Sequence, residues 1–213
     1  MLRAIRNLFI LAVVFVLVGG GLYEWWNLDG RYRPHAITSG ADQITSILEK
    51  SGGVSPGLGG PKLYVVAYRA DPALDALYTD AFPRLHEAKV DTTVIMVARP
   101  DAQGQPQSTA DERSTVAELW VNKSWALFQR WMKASPQTWT TQGIPPADND
   151  VARSAVVEVG RATADKLTPL LRDNGVTFGY PLLVWWTKDG KMQAVVAQDS
   201  KQAAYALKDL GAK

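Results

Sequence analysis

From Asn7 to Tyr23 the chain reads NLFILAVVFVLVGGGLY, seventeen residues without a charge between Arg6 and Glu24. At a rise of about 1.5 Å per residue this is near the short limit for crossing a hydrocarbon core of about 30 Å. Ile5 and the pair Trp25-Trp26 lengthen the run, and tryptophans at this point suit the membrane–water interface. The pattern predicts an uncleaved, single-pass anchor over residues 1–26, in contact with the lipid bilayer through about residues 5–26. A cleaved leader shares the basic start (Arg3, Arg6) and apolar middle, with Gly19-Gly20-Gly21 as its cleavage site, but the A-x-A sequence is missing. Basic residues flank both ends, Arg31 and Arg33 following the run. A short N-terminus ahead of a large domain favours the N-terminus in the cytoplasm and the bulk outside it.

The pattern then changes. Residues 27–61 read as a juxtamembrane segment and linker: Arg33-Pro34 discourages helix, Ala41 to Lys50 places Ile44, Ile47 and Leu48 on one helical face, and SGGVSPGLGGP (51–61) predicts a flexible linker or exposed loop. Lys62 to Tyr68 is a short apolar run suited to a strand buried on both faces. Asp71-Pro72 opens a helix. Leu74, Leu77, Tyr78, Ala81, Phe82 and Leu85 recur at helical spacing to about Ala88, with a kink at Pro83. Thr92 to Ala98 is a second apolar strand, and strand–helix–strand makes the two strands parallel.

Beyond a polar loop, Ser114 to Lys133 predicts one helix with Val116, Leu119, Trp120, Leu127 and Trp131 on its apolar face. After a long connection, Asp150 caps a helix burying Ala155, Val156, Val159, Ala162 and Leu167; Pro169 restarts it and Asn174-Gly175 ends it. Pro181–Trp186 and Met192–Ala197 form a hairpin on Asp189-Gly190, and a last helix covers Ser200 to Leu210. The fold class is α/β: a domain over 62–213 in the order βαβ, helical insertion (about 110–175), ββα.

Composition narrows the chemistry. With 46% hydrophobic and 21% charged residues the chain is globular, and a net charge of +2 from dispersed Lys and Arg gives no footprint for nucleic acid. No cysteine is present, which removes disulfides, thiolate nucleophiles and Cys-ligated metals together. Two histidines, His35 and His86, are too few for a His-based metal site, and no pattern calls for a cofactor. Asp71 and Asp75 can in principle do acid–base work, but the ordinary role for both is to cap the helix and complement its dipole. His86, among Arg84, Glu87 and Lys89, reads as a solvated surface residue. Of the eight tryptophans, Trp185 and Trp186 must face opposite sides of one strand, Trp120 and Trp131 read as core, and Trp125 lies off their face as a candidate exposed contact.

From Lys62 onward these sequences resemble the thioredoxin-fold disulfide oxidoreductases and isomerases of the bacterial periplasm, the Dsb type with a helical insertion. Where that family carries an Asp-Pro-x-Cys-x-x-Cys-like start to its first helix, this chain reads Asp71-Pro72-Ala73-Leu74-Asp75-Ala76-Leu77, with Leu74 and Leu77 at the cysteine positions. Where the family carries Gly-Thr-Pro with a cis proline, it reads Gly179-Tyr180-Pro181. The resemblance implies a thioredoxin-like fold and a cis bond before Pro181. It also implies placement on the periplasmic side of the inner membrane. The family's activity does not carry over, because disulfide exchange needs a thiolate attacking sulfur. The resemblance places Leu74, Leu77, Tyr180 and Pro181 around the family's polypeptide groove, either as an apolar partner-binding surface or, for the leucines, as core. The expected function is a redox-inactive scaffold or accessory subunit binding other membrane or periplasmic proteins. The alternatives are a chaperone-like polypeptide binder and an enzyme with non-thiol chemistry near Asp71 and Asp75.

Overall fold

The computed structural model describes Val18 and residues 32–212. The expected membrane segment lies almost wholly outside the described residues; among these, no helix is long and apolar enough to cross a membrane. A five-stranded sheet organises the rest: β1 (His35–Ala36), β2 (Lys62–Ala67), β3 (Asp91–Met96), β4 (Leu182–Trp186) and β5 (Met192–Val196), in the order β1-β5-β4-β2-β3. β2 and β3 run parallel, Lys62 opposite Asp91 and Ala67 opposite Met96, as the βαβ reading requires. β4 is antiparallel to β2 and to β5, and β1 adds an antiparallel edge to β5.

Period-two alternation sends each central strand into two cores. Leu63, Val65, Ala67, Val94, Met96 and Trp185 enter the larger one, and Tyr64, Val66, Ile95 and Val184 the other. On the larger core's face lie α2 (Pro72–Ala76), a π-helical turn (Leu77–Ala81), α3 (Phe82–Glu87), α5 (Trp125–Lys133) and α7 (Ser200–Asp209). The second face carries α1 (Ala41–Lys50) and α6 (Val151–Arg172). The π turn is the form the Pro83 kink takes: the proline has no N–H to give, and the Phe82 N–H bonds the Leu77 carbonyl five residues back.

Four expectations are corrected. The single helix over Ser114–Lys133 is two, α4 (Ala110–Asn122) and α5. Lys123 adopts φ 49°, and the Ser124 hydroxyl caps α5 by accepting from the Leu127 N–H at 3.2 Å. In α6 the buried residues are Val157, Gly160, Thr163, Leu167 and Leu171, whereas Val159 is 52% exposed. Beneath Trp120 the inward face carries Gly160, and α6 continues through Pro169 instead of restarting there. The stretch 51–61 is not a free linker at its two ends. Ser51 and Val54 are buried, Val54 exchanges backbone bonds of 2.9 and 2.8 Å with Val94, and a Cβ at Gly60 would lie 1.9 Å from the Lys89 carbonyl oxygen. These glycines serve close packing. Finally, His35–Ala36 is a strand where irregular chain was expected, so the compact unit reaches back to Pro34.

Candidate functional site

Helix α2 starts where β2 ends, inside the sheet between β4 and β3, and the loop before β4 comes up beside that strand end. Asp71 is the N-cap: its carboxylate accepts from the Ala73 N–H at 2.9 Å, and Pro72 occupies the first helical position. The carboxyl is buried, which pushes its pKa up; nearby Asp75 adds to this, while the Ala73 N–H and Arg99 oppose it. Asp75 is half-exposed and accepts from Arg69 at 2.7 Å. Arg69 is itself 4% exposed and also donates to the carbonyls of Trp131, Met132 and Ala134, at 3.3, 3.3 and 2.8 Å. It therefore fastens the C-terminal end of α5 to the start of α2, and Asp75 balances its charge. Both acids expected as alternative chemistry are engaged in structure, and His86 is exposed on α3.

Leu74 is 0% and Leu77 6% exposed, in the cluster that holds Phe128 and Trp131. Of the two readings left open, burial describes Leu74, which lines no surface. Leu77 forms part of a groove floor on the α7 side of the helix. Ala76, between them, is exposed. The Tyr180–Pro181 bond is cis. Pro181 is buried and Tyr180 partly so, in a run of edge-to-face rings with Tyr68 at 5.3 Å and Phe178 at 5.1 Å. The Arg99 guanidinium lies over the Tyr68 ring, 4.7 Å from its centre. Burial, then the nearby Asp165 and Tyr68, push the Tyr180 phenol up to about 12, so it stays protonated and neutral at physiological pH. Trp185 is fully buried and Trp186 partly exposed, as strand alternation requires. Trp125 is partly buried and packs 5.0 Å from Phe128, so it is largely occupied.

The residues missed from sequence are Arg69, Arg99 and Glu112. Glu112 is 7% exposed, with its Oε1 buried and making no hydrogen bond, and burial pushes its pKa up against the pull of Arg99, the Thr109 backbone, Arg113 and the Arg69 backbone. The spacing Thr109-x-x-Glu112 is the capping-box signature that announces it. Among the described residues, no group of three His, Asp or Glu is placed to hold a metal ion.

Parallel β2–β3, the antiparallel β4–β5 hairpin, helices on both faces and a cis proline beside the first helix start make this a mixed α/β protein consistent with a thioredoxin-like fold. Comparison with solved structures agrees at that level. The chain is similar to the crystal structure of Salmonella enterica Typhimurium BcfH, with a TM-score of 0.59 and 13% identity over 99% of this chain and 93% of that one. At that identity the likeness speaks for the fold alone. No family model matches, and no curated protein matches by sequence.

Proposed function

We propose that this chain is a redox-inactive thioredoxin-like protein that acts by protein–protein interaction, as a scaffold or accessory subunit of a cell-envelope membrane complex. In this reading the apolar N-terminal run anchors it in the inner membrane, with the folded domain in the periplasm. The observation that carries the reading is the pair Leu74 and Leu77. Where the resembled family keeps its cysteines, this chain has two side chains inside its core, which offer neither a nucleophile nor a redox couple. The acids around them are committed as well, Asp71 to a helix cap and Asp75 to Arg69. A fold stripped of the reactive groups yet keeping the loop geometry of that corner is left with its surfaces as the means of action.

Affinity capture of the full-length protein from gently solubilised membranes, read by quantitative mass spectrometry, tests this. One or a few partners at fixed stoichiometry is the expected result. A broad, substoichiometric mixture of exported chains would replace the subunit reading with a polypeptide holder, and capture at background level would overturn both.

A further inference from the structure

The turn that ends α6 carries the pair Asn174-Gly175, and the residues ahead of α1 pack around it. The Asn174 Oδ1 accepts from the backbone N–H groups of Thr38 and Ser39 at 2.8 and 3.1 Å, with their hydroxyls at 3.3 and 3.4 Å. Its Nδ2 donates to the carbonyls of Ser39 at 3.0 Å and Leu170 at 2.8 Å. Gly40 follows at φ 68°, where a Cβ would lie 3.2 Å from Leu170 Cδ2, and a Cβ at Gly175 would lie 3.2 Å from His35 Nδ1. One carboxamide thus joins stretches of chain 135 and 136 residues apart in sequence.

The same carboxamide stands next to the group that can destroy it. Glycine has no Cβ to shield its nitrogen, so the Gly175 backbone nitrogen is open to attack Asn174 Cγ. A new C–N bond closes a cyclic imide, the Cγ–Nδ2 bond breaks, and ammonia leaves with the Gly175 amide proton. Water then opens the imide at either carbonyl, leaving aspartate or isoaspartate. The fold holds back both reactants. The Gly175 N–H is donated to the Arg172 carbonyl at 2.9 Å, and the bonds to Thr38, Ser39 and Leu170 freeze the rotation that attack requires. Reaction waits for local opening. The product cannot return to the same place. A carboxylate has no N–H for the Ser39 and Leu170 carbonyls. It also adds a negative charge beside Asp173 at the C-terminal end of α6, where the helix dipole opposes it. From this geometry we infer that Asn174-Gly175 is a self-modifying latch. Deamidation is withheld while residues 35–40 are docked on the end of α6, and once it occurs it leaves them undocked.

The test follows conversion at residue 174 by peptide mapping of the folded protein at mildly alkaline pH, beside a free peptide spanning 170–178. Conversion in the protein is expected to be more than about tenfold slower than in the peptide, since only the opened fraction reacts. Gly40→Val forces a β-branched side chain onto a positive φ in the docked segment and is expected to recover most of that factor. Should that variant fail to fold, Thr38→Ala combined with Ser39→Ala removes only the two hydroxyl donors and is expected to speed conversion about threefold. Asn174→Asp imitates the product and is expected to raise amide hydrogen exchange at residues 35–40 while β2 to β5 keep wild-type protection. Conversion in the protein at the peptide's rate, unchanged conversion in the folded variants, or wild-type exchange at 35–40 in Asn174→Asp would each overturn the proposal.

Discussion

The two long helical elements flanking the sheet, α2 through α3 on one face and α6 on the other, differ in the middle of their buried sides. The first brings its own bulk: Leu74, Leu77, Phe82 and Leu85 all point inward from the helix. The second also brings bulk, Leu167 and Leu171 both 0% exposed, but ahead of them it offers a notch. Gly160 and Thr163 lie on its buried side, and a Cβ added at Gly160 would come 3.2 Å from the Trp120 ring, which α4 supplies. Trp120 in turn is pinned by its indole N–H donating to the Met96 carbonyl at 2.7 Å. Packing density is reached either way. The difference is which side of the contact carries the volume, and therefore which kind of substitution does damage.

On the first face the damaging change is removal. Leu74→Ala is expected to cost about 3 kcal/mol, within the range for emptying a fully buried leucine site, measured as a shift of the urea midpoint at unchanged slope. A cost below about 0.5 kcal/mol would mean that Leu74 is not packed as described and would reopen it as a surface residue. On the second face the damaging change is addition. Gly160→Leu gains helix propensity of about 0.8 kcal/mol, yet overpacking against Trp120 is expected to exceed it and leave a net loss of about 1–2 kcal/mol. Combined with Trp120→Leu, part of that loss should return, giving a coupling of about 1 kcal/mol in the double-mutant cycle. Strict additivity would show that Gly160 and Trp120 do not meet.

The same contrast explains how far the sequence could be read. Large apolar side chains at regular spacing announce the strands and the helix from Pro72, and Asp189-Gly190 announces the hairpin; all of these sit where the pattern puts them. Hydropathy fails where the buried residue is small. In α6 it selects Val159, exposed, over Gly160 and Thr163, buried, because the partner's tryptophan supplies the apolar volume. It fails also at 51–61, where glycine reads as freedom but Gly52 and Gly60 stand against Trp120 and Lys89 with no room for a Cβ. For the candidate site, the cap at Asp71 follows from a local motif, and the cis bond before Pro181 from the family resemblance at Gly179-Tyr180-Pro181. Arg69 does not, since apart from nearby Asp75 its partners are carbonyls more than sixty residues away.

The smallest expected effect concerns Glu112, buried in the first turn of α4 with its Oε1 making no hydrogen bond. Its pKa in the folded protein lies above the ordinary glutamate value of 4.5 because burial disfavours the charged form. The folded state therefore holds this proton more tightly than the unfolded state. Stability from the protonated form is complete below about 4.5 and is lost as pH rises through the raised folded value. Buried Asp71 acts in the same sense, whereas Asp148, held down first by its bond from Arg113, loses stability on acidification. Glu112→Gln imitates the protonated form in nearly the same volume. The variant should melt slightly above the wild-type protein at pH 7, and the difference should shrink as pH falls toward 4.5. A Gln variant that melts lower at pH 7 by several degrees would mean that the ionised carboxylate, held by Arg99 and Arg113, is the form the fold requires. The region would then owe its order to charge pairing, unlike either of the two apolar faces.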